Sequence, residues 1–372
     1  MLDDWTGWVA LVVVLLAAGA AGLLVVRARR EPLSGGAHRG RRFGLRRPHR
    51  RDFRPEGHVE PDEPQRRAAV IVNPTKFDNL PAVRRRVERV CTDLGWAPPL
   101  FIETTAEDTG TGQARQALEE GVTVVCPLGG DGTVRAVAEA LVGSETPLGL
   151  LPGGTGNLLA RNLDLPVDSL EDALRVALTG RNRRIDVGRL TVDASGEDER
   201  PEQHVFLVMA GLGFDAAIMA GAPEKLKATM GWPAYLVSGA RNLRGPQFKV
   251  RVRVDDGEEV SRRTRTVVIG NCGKLLGGLV LMPEADVADG RLDMVVISPT
   301  GVVGWAAVAA QIASRRRRGH ERVDRHTGAS LRVRADRPQE VQLDGDTIGR
   351  ARAFSAEVVP GSLVVRVGTG TR

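Results

Sequence analysis

Two glycine-rich segments, each directly after a short apolar run, constrain the fold of this chain most strongly. Residues 129–133 (GGDGT) follow the run 122–128, and residues 153–157 (GGTGN) follow the run 147–152. Helical spacing resumes after both, so each segment is predicted to connect a strand to a helix. Glycines let the backbone approach an anion closely, and a helix N-terminus presents free N–H groups to it. The pair predicts a phosphate-binding crevice at the carboxyl ends of neighbouring strands.

The apolar pattern predicts two regions of different architecture after residue 66. Four short apolar runs between residues 68 and 152 alternate with helical stretches, which indicates a Rossmann-like α/β region with a parallel sheet. Beyond about residue 186 the runs are strand-like, for example 204–214 and 248–255. The second of these alternates apolar and basic residues, as a half-exposed antiparallel strand does. We therefore predict an α/β domain at 67–185 and an all-β, mostly antiparallel domain at 186–354.

The first 66 residues have a different character. Residues 9–26 are eighteen residues without a charge, which is long enough to cross a bilayer as a helix. Arginines follow at 27, 29 and 30, so the positive-inside rule places the N-terminus outside and the rest of the chain in the cytoplasm. A buried core helix is the alternative. We expect one transmembrane helix within residues 1–30, an Arg-rich disordered linker at 31–66, and a single-pass location in the cell membrane.

The positive charge of the chain is confined to one segment. The net charge is +6, but residues 27–54 alone contribute +9, so the remainder sums to −3. Aromatic residues make up only 4% of the chain, which argues against stacking on bases. A nucleic-acid partner is therefore not expected. Arginines beside a membrane span are instead expected to attract an anionic membrane surface.

Seven motifs occur in the order seen in bacterial members of the diacylglycerol kinase family, which the chain resembles over roughly residues 68–370. The GGDGT motif alone is shared with NAD kinases, whereas the later motifs are specific to the lipid kinases, which include sphingosine and ceramide kinases. The motifs are VNPTK (72–76), GGDGT (129–133), PGGTGNLLAR (152–161), RIDVGR (184–189), GLGFDA (211–216), PEADVADGRLD (283–293) and LDGD (343–346).

The resemblance implies ATP and Mg²⁺ as cofactors, bound in a crevice between an α/β domain and a β-sandwich, with a final strand at about 355–372 returning to the first domain. It implies Asp131, Asp186 and Asp346 as catalytic carboxylates, with Asp186 holding Mg²⁺ through water and Asp346 acting as general base. It assigns a structural Mg²⁺ to a loop with Asp286, Asp289 and Arg291. The implied nucleotide-binding residues are Asn73, Pro74, Thr75, Lys76, Thr104, Gly129, Gly130, Asp131, Gly132, Thr133, Gly154, Thr155 and Asn157.

Simpler interpretations stay open for several of these residues. Residues 344–346 read as a hairpin turn with Gly345 at the bend, and residues 289–290 also read as a turn. Of the two carboxylates in residues 344–346, Asp344 and Asp346, only one is expected to be catalytic. Asp186 could be a solvated residue at the domain junction.

The chain departs from the usual motifs of the family at four places. Thr75, Lys76 and Phe77 replace a Ser/Gly-rich loop, and the final motif is DGD instead of DGE. Arg135 and Ala136 replace an Asn-Glu pair, and Leu158 replaces an Asp.

Transfer of the ATP γ-phosphoryl group to a lipid hydroxyl is the leading hypothesis, with diacylglycerol as the default acceptor and phosphatidic acid as product. A sphingoid base or NAD is the alternative acceptor. The substitutions at Arg135, Ala136 and Leu158 also leave open a catalytically silent nucleotide-binding scaffold. The expected partners are a lipid substrate and an anionic membrane surface, with a homodimer as a further possibility from the resemblance.

Overall fold

The computed structural model describes residues 65–195, 201–213, 247–275, 280–299 and 323–369, together with Gly304 and Val308. Residues 65–372 group into one compact unit. The described part of this unit contains a four-stranded parallel sheet and a ten-stranded antiparallel sheet. The predicted succession of an α/β region and an antiparallel β region is confirmed.

The parallel sheet has the strand order β2-β1-β3-β4. All residues of β1 and β3 are buried, because helices cover a sheet of this type on both faces. The strands are β1 (Ala68–Val72), β2 (Leu100–Glu103), β3 (Val124–Gly129) and β4 (Leu151–Pro152). The helices are α1 (Leu80–Asp93), α2 (Thr111–Glu119), α3 (Asp131–Leu141), α4 (Leu158–Asn162) and α5 (Leu170–Thr179), with a 3-10 turn at Pro74–Lys76.

The antiparallel sheet follows the path β12-β11-β10-β7-β13-β14-β5-β6, and β8 joins it beside β13 with β9 on its other side. One face of this sheet encloses a core to which Phe206, Leu212, Val252 and Leu331 contribute. The strands are β5 (Arg181–Asp193), β6 (Glu202–Phe206), β7 (Met209–Gly213), β8 (Phe248–Val254), β9 (Val260–Thr264), β10 (Thr266–Gly270), β11 (Leu292–Ile297), β12 (Val323–Gly328), β13 (Ser330–Leu343) and β14 (Asp346–Val367).

The end of β14 connects the two sheets. Leu148 forms a parallel bridge to Val125 of β3 on one side and to Val365 of β14 on the other. The Leu148 N–H donates to the Val364 carbonyl (2.8 Å), and the Arg366 N–H donates to the Leu148 carbonyl (2.9 Å). Backbone hydrogen bonds therefore join the antiparallel sheet to the chain that enters β4. The boundary predicted between residues 185 and 186 falls inside β5.

The predicted membrane location is contradicted. Among the residues that the structure describes, no helix is both long and apolar enough to cross a bilayer. The longest of the helices named above, α1, has 14 residues, whereas a span needs about 20. The segment 9–26, on which the prediction depended, lies outside the described residues, as does the predicted linker up to residue 64. The expectation of a single-pass membrane protein is therefore not retained.

The apolar run 204–214 was predicted as one strand, but the structure divides it into β6 and β7. The N–H groups of Leu207 and Val208 donate to the side chain of Asp344, at 3.0 Å and 2.8 Å. The Met209 N–H donates to the same carboxyl at 2.9 Å. A buried carboxyl thus takes the donors that a continuous strand would give to a neighbouring strand.

The side chain of Asp344 is expected to be essential for stability. Asp344→Ala leaves the N–H groups of Leu207, Val208 and Met209 buried without an acceptor, so we expect the free energy of unfolding to fall by roughly 3–5 kcal/mol. Urea denaturation measures this. The control is Asp346→Ala, two residues away and exposed, which we expect to cost less than about 1 kcal/mol. Equal losses in the two variants would contradict the role of Asp344.

Candidate active site

The carboxyl ends of the parallel strands bring the predicted nucleotide-binding residues to one edge of the sheet. Asn73 follows β1, Thr104 follows β2, and Gly129 ends β3. The Asn73 N–H donates to the Leu128 carbonyl (3.0 Å), and the Thr104 N–H donates to the Val72 carbonyl (2.9 Å). These bonds continue the strand pairing past the strand ends, which aligns the loops that follow.

The two glycine-rich loops lie against each other, backbone to backbone. A Cβ on Gly153 would stand 2.5 Å from the Gly129 nitrogen, and one on Gly154 would stand 2.8 Å from the Gly130 Cα. At these two positions no side chain fits between the loops. The sequence predicted that the loops share a crevice, and the structure shows that their glycines permit the contact.

Asp131 lies between the loops, at the first position of α3. Its Oδ1 accepts a hydrogen bond from the Leu158 N–H at 2.7 Å. The pKa of Asp131 is raised to about 6, mainly by burial and to a smaller extent by the nearby carboxylates of Asp344 and Asp346, whereas the Leu158 N–H opposes the rise. Asp131 is therefore a half-buried carboxyl that a cation or a donor would stabilise in its ionised form.

Asn157 fixes the conformation of the second loop. Its backbone is left-handed (φ +47°), which Asn tolerates better than most residues. Its Nδ2 donates to the Gly154 carbonyl (2.8 Å), and its Oδ1 accepts from the Gly154 N–H (3.3 Å). Thr155, between them, is exposed, while Thr133 of the first loop is buried against Gly129.

The segment after β1 forms a 3-10 turn that its own side chains stabilise. The Oδ1 of Asn73 accepts from the backbone N–H of Thr75 (3.1 Å) and from its hydroxyl (2.7 Å). Pro74 begins the turn, and Lys76 is exposed at its end. Asn73 therefore shapes this loop, and Lys76 is the cation that the loop presents at the sheet edge.

The tip of the β13–β14 hairpin reaches the first turn of α3. Asp344 (φ +47°) and Gly345 (φ +98°) are both left-handed, as in the tight turns that join antiparallel strands. The Oδ2 of Asp346 accepts from Nη2 of Arg135 at 3.0 Å. A Cβ on Gly132 would stand 2.8 Å from the same oxygen. Asp346, which the sequence places 211 residues from Arg135, thus borders the GGDGT loop.

Arg135 and Asp344 are two site residues whose importance the sequence did not show. The Nε of Arg135 is buried and has no hydrogen-bond partner among the described residues. Burial raises the pKa of Asp344. The hydrogen bonds that its carboxyl group accepts from backbone N–H groups oppose this rise, as does the positive charge of Arg135. The sequence registered Arg135 only as a departure from a motif and Asp344 only as a turn residue. Both contacts join segments that are far apart in the chain, so neither could be predicted from spacing along the sequence.

The chain is similar to known protein families and to solved structures. Residues 67–190 match the family described as "Diacylglycerol kinase catalytic domain", and residues 208–367 match the "YegS C-terminal NAD kinase beta sandwich-like domain". The chain is 32% identical over 259 residues to "Probable lipid kinase YegS-like" of Klebsiella pneumoniae (strain 342), covering 68% of this chain and 80% of that protein. This chain belongs to the YegS-like lipid kinase family.

Other comparisons extend over more of each chain. "Probable lipid kinase YegS" of Salmonella arizonae is 30% identical over 313 residues, which cover 80% of this chain and 95% of that protein. The solved structure described as "Crystal structure of a putative diacylglycerol kinase from Bacillus anthracis str. Sterne" has a TM-score of 0.65 and 20% identity, covering 85% of this chain and all of the other. At this identity the structural likeness concerns the fold.

In this lipid kinase Asp186 is a buried connection between three segments. It lies on β5 and is only 2% exposed, so the interpretation as a solvated residue is wrong. Its Oδ2 accepts from the Gly290 N–H and its Oδ1 from the Gly361 N–H, both at 2.7 Å. Its carboxylate therefore holds the loop before β11 and a bend in β14 together.

In the loop that the resemblance assigned to a structural Mg²⁺, two carboxylates accept hydrogen bonds from backbone N–H groups of the same loop. Oδ1 of Asp286 accepts from the Ala288 N–H (3.1 Å), and Oδ1 of Asp289 accepts from the Arg291 N–H (2.9 Å). Burial raises the pKa of Asp289. No group of three or more His, Cys, Asp or Glu side chains that could hold a metal occurs in the described part of the chain. The side chains of this loop do not by themselves form a metal site.

The contact between the glycine loops predicts a position-specific effect on stability. Gly153→Ala forces a Cβ against the backbone of Gly129, so we expect the kinase to lose roughly 1–3 kcal/mol of stability and to unfold several degrees lower. Gly130→Ala is the control, since a Cβ there meets nothing within 4 Å. Thermal denaturation without nucleotide compares the two variants. Equal melting temperatures would contradict the packing of the loops.

Because the pKa of Asp131 is raised, replacing its carboxyl group is predicted to increase stability in a pH-dependent way. The folded-state pKa (about 6) exceeds the ordinary value of 3.8, so the ionised carboxyl lowers stability progressively between these pH values and fully above them. Asp131→Asn is therefore expected to stabilise the protein by roughly 2 kcal/mol at pH 8 and by nothing below about pH 4. Urea denaturation at both pH values tests this, with the exposed Asp336→Asn as control. A variant that is not more stable at pH 8 would overturn the assignment.

Proposed function

We propose that this lipid kinase transfers the γ-phosphoryl group of ATP to the hydroxyl of diacylglycerol, with phosphatidic acid as product. The observation that carries the proposal is the meeting of two glycine loops with the Asp346–Arg135 pair at one sheet edge. Phosphoryl transfer depends mainly on positioning and on neutralising charge, and such a crevice supplies both.

The nucleotide is proposed to lie along the two glycine loops. The backbone N–H groups at the start of α3 and in residues 153–157 are suited to phosphate oxygens, because no side chain keeps the phosphates away from them. The Asn73–Lys76 turn and Thr104 border the same edge and would contact the rest of the nucleotide. Mg²⁺ bound with ATP would neutralise phosphate charge, and Asp131 is the carboxylate best placed to hold it.

Asp346 is proposed to accept the proton of the lipid hydroxyl. Its side chain is 56% exposed at the hairpin tip, whereas both oxygens of Asp344 already accept backbone N–H groups. The Arg135 guanidinium forms an ion pair with Asp346 at 3.0 Å, which orients the carboxylate proposed as general base. Arg135 can also offset negative charge on the transferring phosphoryl group.

The residues that depart from the family motifs still make contacts in this site. Leu158 contributes its backbone N–H to Asp131, a contact that does not depend on its side chain. Arg135 pairs with Asp346 directly. Ala136 is buried, and its carbonyl accepts the Thr111 hydroxyl at 3.1 Å. These contacts favour an active kinase over a silent scaffold.

The choice of diacylglycerol rests on similarity. The name of the matching catalytic domain and the description of the Bacillus anthracis structure both refer to diacylglycerol kinase. A sphingoid base and NAD are the competing acceptors. A lipid acceptor also requires the kinase to act at a membrane surface, and we propose that this surface is anionic. We further propose that the protein forms a homodimer.

Labelled ATP tests the acceptor and the base together. Wild-type protein is expected to label a lipid in a total lipid extract and to leave NAD unlabelled. Asp346→Asn is expected to lower kcat by roughly 10²–10⁴-fold, because the proton acceptor is lost. The control is Asp336→Asn, an exposed carboxylate on β13, which should keep full activity.

Three results would contradict the proposal. Labelling of NAD alone would replace the lipid acceptor. Labelling of no acceptor would favour the scaffold. Full activity in Asp346→Asn, with loss of activity in a folded Asp344→Asn, would move the general base to Asp344.

A further inference from the structure

Four arginines form a block on the outer face of the antiparallel sheet. Strands β8 and β13 pair so that Arg253 stands opposite Arg332 and Arg251 stands opposite Arg334. The residues between them in each strand, such as Val252, point into the buried core. All four arginines therefore lie on the other face, and none belongs to the proposed nucleotide site.

The positive charge of these four arginines is only partly compensated within the described part of the chain. Like charges directly opposite each other weaken strand pairing. Arg251 has an acidic partner, Glu259, at 3.3 Å. The side chains of Arg253, Arg332 and Arg334 form no ion pair or hydrogen bond within the part of the chain that the structure describes. The Nε of Arg253, at the centre, is shut off from solvent without a partner. A bound anion would compensate these charges.

The block is the wall of a concavity of about 340 Å³. Across the sheet, Arg332 stands opposite Ser355, and Ser355 stands opposite Thr191. Arg253, Arg332, Ser355 and Thr191 thus form one row over four strands, and each side chain is a hydrogen-bond donor. We call these four residues the arginine row. Asp193 and Glu259 also line the concavity, so its four arginines leave a net charge of +2.

We propose that the arginine row binds a phosphate group. Guanidinium groups match the geometry of phosphate oxygens in paired hydrogen bonds, and hydroxyls donate to the oxygens that remain. An uncharged ligand would leave the Nε of Arg253 and the opposed charges uncompensated. The phosphate can belong to the headgroup of an anionic phospholipid or to a soluble phosphate compound, and the two sources are separable by experiment.

The test compares two double variants of the full chain with equal loss of charge. Arg253→Gln/Arg332→Gln removes the centre of the arginine row. The control, Arg85→Gln/Arg175→Gln, removes two exposed arginines on α1 and α5. Without ligand, the row variant should be at least as thermostable as wild type, because a repulsion is lost. Arg253→Lys/Arg332→Lys, which keeps the charge, serves in its place should the row variant fail to fold.

Two ligands identify the source of the phosphate. The first is phosphatidylglycerol in phosphatidylcholine vesicles, with pure phosphatidylcholine as blank, and the second is inorganic pyrophosphate. If the source is lipid, the row variant should bind the anionic vesicles about 5- to 30-fold more weakly than wild type. The basic segment 27–54 is present in every variant and cancels in this ratio. If the source is soluble, pyrophosphate should raise the melting temperature of the row variant less than that of wild type and control.

Either loss, confined to the row variant, supports the site. The proposal is overturned if the row variant responds to both ligands as wild type does. It is equally overturned if the control variant loses as much as the row variant, since the effect would then be one of total charge.

Discussion

The arrangement of the active site depends on one buried carboxyl. Asp344 is 4% exposed and accepts the N–H groups of Leu207, Val208 and Met209. These bonds tie the connection between β6 and β7 to the turn between β13 and β14. Since the turn is fixed, Asp346 at its end meets Arg135 on α3. A single group in the antiparallel sheet thus sets the position of a side chain at the edge of the parallel sheet.

The second constraint is the close contact of the glycine loops. It leaves Asp131 partly removed from water and near two other carboxyls, Asp344 and Asp346, with one guanidinium, that of Arg135, among them. Grouping acidic side chains in this way costs stability, and cations bound at the site would recover that cost. Such a compromise is typical of catalytic sites, where groups are placed for the reaction and not for the fold. The buried Nε of Arg135, which lacks a described partner, is a second sign of it.

Two groups of charged side chains at the antiparallel sheet differ in how their charges are balanced. At the hairpin tip, Arg135 is neutralised by Asp346, and the pair belongs to the nucleotide crevice. On the outer face, Arg253 and Arg332 stand opposite each other, and neither forms an ion pair within the described part of the chain. The first arrangement is complete within the chain, whereas the second gains stability only when an external anion is bound. This contrast separates the catalytic site from the arginine row.

The sequence by itself determined the class of the fold and the nature of the two loops. Apolar periodicity and glycine placement act within a few residues, so β1, β3 and the start of α3 were predictable. The run 204–214 was predicted as one strand because spacing cannot show that a carboxyl 135 to 137 residues away accepts its N–H groups. Local hydropathy also suggested a membrane protein, which the helices of the described region do not support. Only the tertiary structure decided that Asp344 faces inward, that Asp186 is a buried connection and that Arg135 pairs with Asp346. Each of these contacts joins segments that are distant in the chain and that only the folded structure brings together.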